Sequence, residues 1–162
     1  MEVKVIPIKI PEGANVIAGQ THFIKTVEDL YETLSGSVPE IRFGIGFCEA
    51  SQQRLIRYDG NDEELTKAAI EAAQAVGAGH FFVIFIRNAF PINVLTAIKM
   101  CPEVCSIFCA TANPVQFVVA EGEDQRAVLG VMDGMKPKGV EQAEHRKERQ
   151  DFLRKIGYKV PL

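Results

Sequence analysis

The run His80-Phe-Phe-Val-Ile-Phe-Ile-Arg87 constrains this chain more than any other segment. A strand that is apolar on both sides must lie inside a sheet that is covered on both faces. The protein therefore needs covering layers above and below, and the remaining sequence supplies them as alternating strands and amphipathic helices. Strands are expected at 2–10, 14–20, 41–48, 53–59, 80–87, 103–110, 115–121 and 125–131, and helices at 26–35, 62–76, 91–100 and 140–156. No linker, repeat or low-complexity stretch divides the 162 residues, which suit one domain spanning 1–162. Short links between 41–48 and 53–59, and between 115–121 and 125–131, suggest hairpins. The expected fold is α/β, a three-layer α-β-α sandwich around a mixed sheet.

Local signals set the expected boundaries. Thr26 with Asp29, and Asn61 with Glu64, read as N-cap pairs for the first two helices. Leu65, Ala69, Ala72, Ala73 and Val76 form an apolar stripe that Gly77 should terminate, and Pro91 suits the first turn of the third helix. The last helix opens with a solvated run, Glu141 to Asp151, so only its end, with Phe152, Leu153 and Ile156, is expected to dock.

The composition narrows the function. A net charge of −3 argues against a general nucleic-acid or anionic-membrane partner, both of which need clustered excess Lys and Arg. The longest apolar run, Phe81 to Ile86, is too short to span a bilayer, and the charged, alternating N-terminus does not resemble a signal peptide. The cytoplasm is the expected location. Cys101, Cys105 and Cys109 stand four apart, a spacing that on a helix would gather three thiols. Pro102 and the β-branched or aromatic Val104, Ile107 and Phe108 make 103–110 a strand instead. Cys105 and Cys109 then face one way, two pleats apart, and are expected to be buried free thiols with no metal.

Three strands end in polar groups, at Glu49 and Ser51, at Arg87-Asn88, and at Cys109-Ala-Thr-Ala-Asn-Pro114. This suggests a site at the rim of a sheet. The common nucleotide signatures are absent: there is no P-loop, and Gly44-Ile-Gly46 and Gly77-Ala-Gly79 each lack the third glycine of a dinucleotide fingerprint. His145 lies on the solvated helix face. His22 precedes a helix start beside Lys25, where free N–H groups and a positive dipole end would hold an anion or a phosphoryl group; the alternative reading is a ring that bonds a backbone carbonyl, as in many strand-end histidines. His80 follows two glycines that permit close approach, but taken alone it reads more readily as a satisfied core residue after a Gly77 helix cap. Glu49 and Ser51 suit a sugar or base role, and Arg57 and Arg87 suit either phosphate or salt bridges. Adenine needs a flat apolar wall and amide-like groups, which Asn88, Phe90, Asn93 and Asn113 can supply. One pocket lined by Glu49, Ser51, Arg57, His80, Asn88 and Asn113 is the expectation.

The blocks GQTHFIKTVEDLYE (19–32), FGIGFCEAS (43–51), GNDEEL (60–65), GAGHFFVIF (77–85), PINVLTAIK (91–99), PEVCSIFCATANP (102–114) and LGVMDGMKPKGVE (129–141) resemble the adenosine-specific kinase family, a small prokaryotic family common in archaea and thermophilic bacteria. The similarity extends to RKIGYKV (154–160) and so covers nearly the whole chain. The resemblance implies a compact domain that binds adenosine or AMP and carries phosphate on a histidine. It implies no tightly bound cofactor, only a phosphate donor with Mg. Phosphotransfer through phosphohistidine is the leading expectation, with His22 favoured over His80 as acceptor. The same pocket in a non-catalytic adenosine or AMP sensor is the alternative, and a metal–thiol redox protein a distant third. Leftover apolar surface beside a largely polar last helix points to a homo-oligomer, trimer or dimer.

Overall fold

The computed structural model describes residues 1–161. Eight strands and four helices alternate: β1 Glu2–Ile8, β2 Asn15–Thr21, α1 Thr26–Ser35, β3 Arg42–Cys48, β4 Ile56–Gly60, α2 Glu63–Val76, β5 Phe81–Arg87, α3 Pro91–Lys99, β6 Val104–Thr111, β7 Val115–Glu121, β8 Arg126–Asp133 and α4 Ala143–Lys155. The α/β single-domain class is as expected. The expected mixed sheet is instead two sheets, ordered β4-β3-β5-β2-β6 and β1-β7-β8, and every ladder in them is antiparallel.

β5 occupies the centre of the larger sheet, and Phe81 to Ile86 are all buried. Its alternation divides the core. Phe82, Ile84 and Ile86 face α1 and α3 with Leu30, Leu34, Val94 and Ile98. Phe81, Val83 and Phe85 face the stripe of α2 and the inner side of the small sheet, where Phe117 and Val119 lie. The third layer is thus one helix beside a second sheet. On β3, Phe43, Ile45 and Phe47 fill the α1–α3 side, while Gly44 and Gly46 present bare backbone to α2. A methyl group on Gly44 would overlap the Leu65 carbonyl and the Thr66 amide, and one on Gly46 the Ala69 carbonyl.

Several local expectations need correction. α1 is capped by Lys25 without a side-chain bond; Thr26 is already helical and its hydroxyl donates to the Phe23 carbonyl. The cap of α2 is Asp62, which accepts from the Leu65 amide at 3.0 Å, while Asn61 braces Phe43 and Ile41. Gly77 closes α2 in the left-handed region at φ 60°, as expected, and Pro91 begins α3. β6 slips register against β2 between Ala18 and Gly19, so Phe108 is an inserted residue and the pleat changes parity there. A second slip between Gln20 and Thr21 leaves Cys105 itself unpaired, and it is exposed while Cys109 is buried, instead of both facing one way. No residue of α4 is buried, and Phe152 and Ile156 stay 57% and 44% exposed, so the end of that helix does not dock on its own chain. Among the described residues no helix is long and apolar enough to cross a membrane.

Candidate functional site

Antiparallel pairing sends β3 and β2 to finish where β5 and β6 begin: Phe47 is opposite Phe82, Gln20 opposite Phe81, and Thr21 opposite Val104. The segments leaving and entering this end of the sheet carry His22, Glu49, Ser51 and His80. These four residues line a cavity of about 200 Å³, with Phe23, Phe47 and Ala50 among its walls.

His80 is the most constrained of them. Its φ is 65°, left-handed and costly for a residue with a Cβ. The conformation is held from both sides: its amide donates to the Cys48 carbonyl at 2.8 Å, and its carbonyl accepts from the Thr21 amide at 3.0 Å. The half-buried ring stacks on Phe47, with centroids 6.0 Å apart and planes 13° from parallel. Gly79 before it leaves room for Ala50, whose Cβ a side chain there would meet at 3.1 Å.

Glu49 is held by the hairpin it opens. Its Oε2 accepts from the Leu55 amide at 3.0 Å and from Arg57 Nη2 at 3.1 Å. The Leu55 N–H and, after it, Arg57 keep this carboxyl below the ordinary glutamate range. It stays an anion and a weak base, suited to accepting hydrogen bonds more than to taking a proton. Arg57 spends its Nη2 on Glu49 and on Gln53 Oε1 at 3.0 Å, which takes up the nitrogen shared by both of its two-pronged faces, while its buried Nε has no partner. Between them, Gln52 and Arg54 also lie in the left-handed region, at φ 56° and 54°.

His22 is exposed at the mouth, and its amide donates to the Glu103 carbonyl at 3.1 Å. The charge expected to assist it is partly spent, because Lys25 donates to Asp29 Oδ2 at 2.8 Å. Behind this segment the Glu103 side chain is 3% exposed and its Oε1 has no hydrogen-bond partner. Burial first, and then neighbouring Asp29, push its carboxyl above the ordinary range. A raised folded-state value means the protonated form is the one the fold favours, so stability falls as pH rises from the unfolded through the folded value. Glu103→Gln is expected to raise Tm at pH 7 by about 2–4 °C, on the order of 1 kcal/mol, and the gain should vanish below the ordinary glutamate pKa. Thermal melts at pH 7 and pH 4 check this.

The other expected pocket residues lie at the opposite end of the sheet. Thr111, two residues before Asn113, pairs with Val16, and Arg87 pairs with Arg42, a strand's length from Glu49. One pocket holding both Glu49 and Asn113 is therefore excluded. The far-end groups do structural work: Arg87 binds Glu64 at 2.7 Å, Asn88 donates to the Glu40 carbonyl at 3.1 Å, and Asn93 accepts from the Phe90 amide at 2.8 Å. Asn113 donates to Asp133 at 3.3 Å, and Phe90 is 61% exposed on the outside.

A larger cleft of about 650 Å³ shares Glu49 and Ala50 with the histidine cavity. Gly77 and Gly79 form part of its wall, Ala120 and Arg126 contribute walls that the sequence did not single out, and Arg54 adds a cation. The only advance signal was the doublet of glycines before His80, because β7 and β8 reach this end through the second sheet. Among the described residues no group of three His, Cys, Asp or Glu side chains is placed to hold a metal ion.

The family model described as "Adenosine specific kinase" matches residues 6–159. Among solved structures, the crystal structure of PH1918 protein from Pyrococcus horikoshii OT3 is similar to this chain, with 48% identity, a TM-score of 0.94 and 99% of each chain covered. Among curated proteins none matches.

Proposed function

The chain belongs to the adenosine-specific kinase family, and from that premise we propose that it transfers a phosphoryl group to adenosine by way of His22. The observation that carries this reading is the meeting of two histidines, one exposed and one immobilised, around a single cavity at the sheet end. A ring nitrogen of His22 attacks the terminal phosphorus of a phosphoanhydride donor; the N–P bond forms as the bond to the donor's bridging oxygen breaks. A ribose hydroxyl of adenosine then attacks the same phosphorus, the N–P electron pair returns to the ring, and the hydroxyl proton passes to His80. His22 suits the carrier role because it stands at the mouth, where a bulky donor can reach it. His80 suits the base role because its ring nitrogen can accept a proton at the wall of the same cavity and Glu49 is too weak a base. Glu49, its charge balanced by Arg57, and Ser51 offer hydrogen bonds to the sugar.

The 200 Å³ cavity alone is small for a nucleoside, whereas ligand clefts commonly span about 300–1,000 Å³. The adjoining 650 Å³ cleft is the better seat for adenosine or AMP, with the reacting hydroxyl turned past Glu49 toward the histidines. Mg²⁺, where the donor brings it, would be held chiefly by phosphate oxygens.

Incubation with a donor labelled in its terminal phosphate, followed by alkaline peptide mapping, tests the assignment. The expected result is an acid-labile, alkali-stable label on the peptide containing His22. Label on His80, or on neither, overturns it. Calorimetry that finds adenosine bound with no transfer from any donor would favour the sensor reading.

A further inference from the structure

We propose that the C-terminal arm, residues 134–161, docks on the outer face of the β1-β7-β8 sheet of a second copy of this chain, beside the larger cleft. The outer face is apolar in rows set by the ladder. Val5 stands opposite Val118, and Val3 opposite Ala120, which in turn pairs with Ala127. Leu129 is the inserted residue where β8 slips against β7, and it turns outward while Val128 and Val131 pack inward. Val3, Val5 and Leu129 are 62%, 49% and 58% exposed, so this chain leaves its own sheet uncovered. A face of contiguous valine, alanine and leucine on a soluble domain marks a contact surface.

The chain also carries an occupant of matching chemistry. Phe152, Ile156, Tyr158 and Val160 are exposed on an arm none of whose helical residues is buried. Charge is divided in the complementary way. Residues 134–162 hold eight basic and four acidic side chains, a net of +4, whereas residues 1–133 hold ten and 17, a net of −7. An arm that is cationic and apolar is drawn to an acidic body with an apolar face, and the body of another copy offers both. The segment from Gly134 to Gln142 leaves the edge strand β8 before α4 begins, which allows the arm to reach outward. Arm exchange of this kind closes by symmetry and buries both surfaces at once. Ala120 and Ala127, at the end of one row, also line the 650 Å³ cleft. The partner's arm would therefore complete a wall of that cleft.

Two measurements on the full-length chain test this. Light scattering at tens of micromolar is expected to return a multiple of 17.9 kDa for the parent chain and 17.9 kDa for Phe152→Glu/Ile156→Glu. In a Cys105→Ser background, mixing a Leu129→Cys chain with a Phe152→Cys chain should give an oxidised two-chain product that neither gives alone. A monomeric parent overturns the proposal, as does a parent that gains mass only on anionic vesicles or nucleic acid. Cross-linking of the Leu129→Cys chain to itself as efficiently as in the mixture also overturns it, since it would mean that two sheets meet face to face.

Discussion

His22→Ala is expected to abolish phosphoryl transfer to adenosine, and His80→Ala to lower kcat on the order of 10²–10⁴-fold, with both chains still folded. The difference follows from the two roles. Without the His22 ring there is no atom to carry the phosphoryl group, and a two-step route cannot proceed. Without the His80 ring the hydroxyl can still lose its proton to water, slowly. Position 80 allows a further separation, because its φ of 65° is a backbone property and its imidazole is a chemical one. His80→Gly removes the ring and adopts the left-handed conformation freely, whereas His80→Ala removes the ring and keeps the strain. The glycine variant should be the more stable of the two by about 1 kcal/mol, with turnover equally low. Steady-state kinetics and melting curves of the three variants check this. Substantial turnover in His22→Ala would overturn the assignment of the carrier.

The second large effect concerns stability. Gly44→Ala is expected to cost about 3 kcal/mol, lowering Tm by about 6–12 °C. The added methyl would meet the backbone of Leu65 and Thr66 in the first turn of α2, and backbone cannot rotate away as a side chain can. α2 must then rise from β3, opening the packing of Leu65 and Ala69, both fully buried. Gly139→Ala is the control, because a methyl there meets nothing within 4 Å. It should change stability by no more than about 0.5 kcal/mol. Denaturant titration of the two variants would distinguish a local clash from a general dislike of alanine.

Much of this was legible in the chain because the signals were local. The all-apolar run at 81–86 could only be central, and Gly77, Pro91 and the α2 stripe marked their helix ends by chemistry that acts within a turn. The pocket was misjudged for a non-local reason. Polar residues at strand ends were readable, but which end of the sheet each occupies depends on strand direction, and that depends on pairings between distant segments. An antiparallel order places the end of β6 with the start of β3, which separates Asn113 from Glu49. The left-handed backbone at His80 and the bulge at Phe108 were equally hidden, since neither residue type announces them. The double use of Arg57, as partner of Glu49 and Gln53, was also beyond reach, because an arginine in sequence does not show whether its fork is already filled.

The small sheet has a consequence for how the molecule is made. β1 precedes the seven other strands, yet it pairs only with β7, more than a hundred residues later. α2 offers Ile6 and Ile8 an apolar surface, but no earlier strand pairs with them, so the backbone of residues 2–8 waits unpaired until β7 has emerged. Such long-range closure slows folding and exposes the waiting strand to wrong partners. The larger sheet, by contrast, is complete once β6 has emerged, at residue 111. The order of assembly is therefore set by topology: the histidine cavity can form early, and the cleft beside it, walled by β7 and β8, can close only at the end.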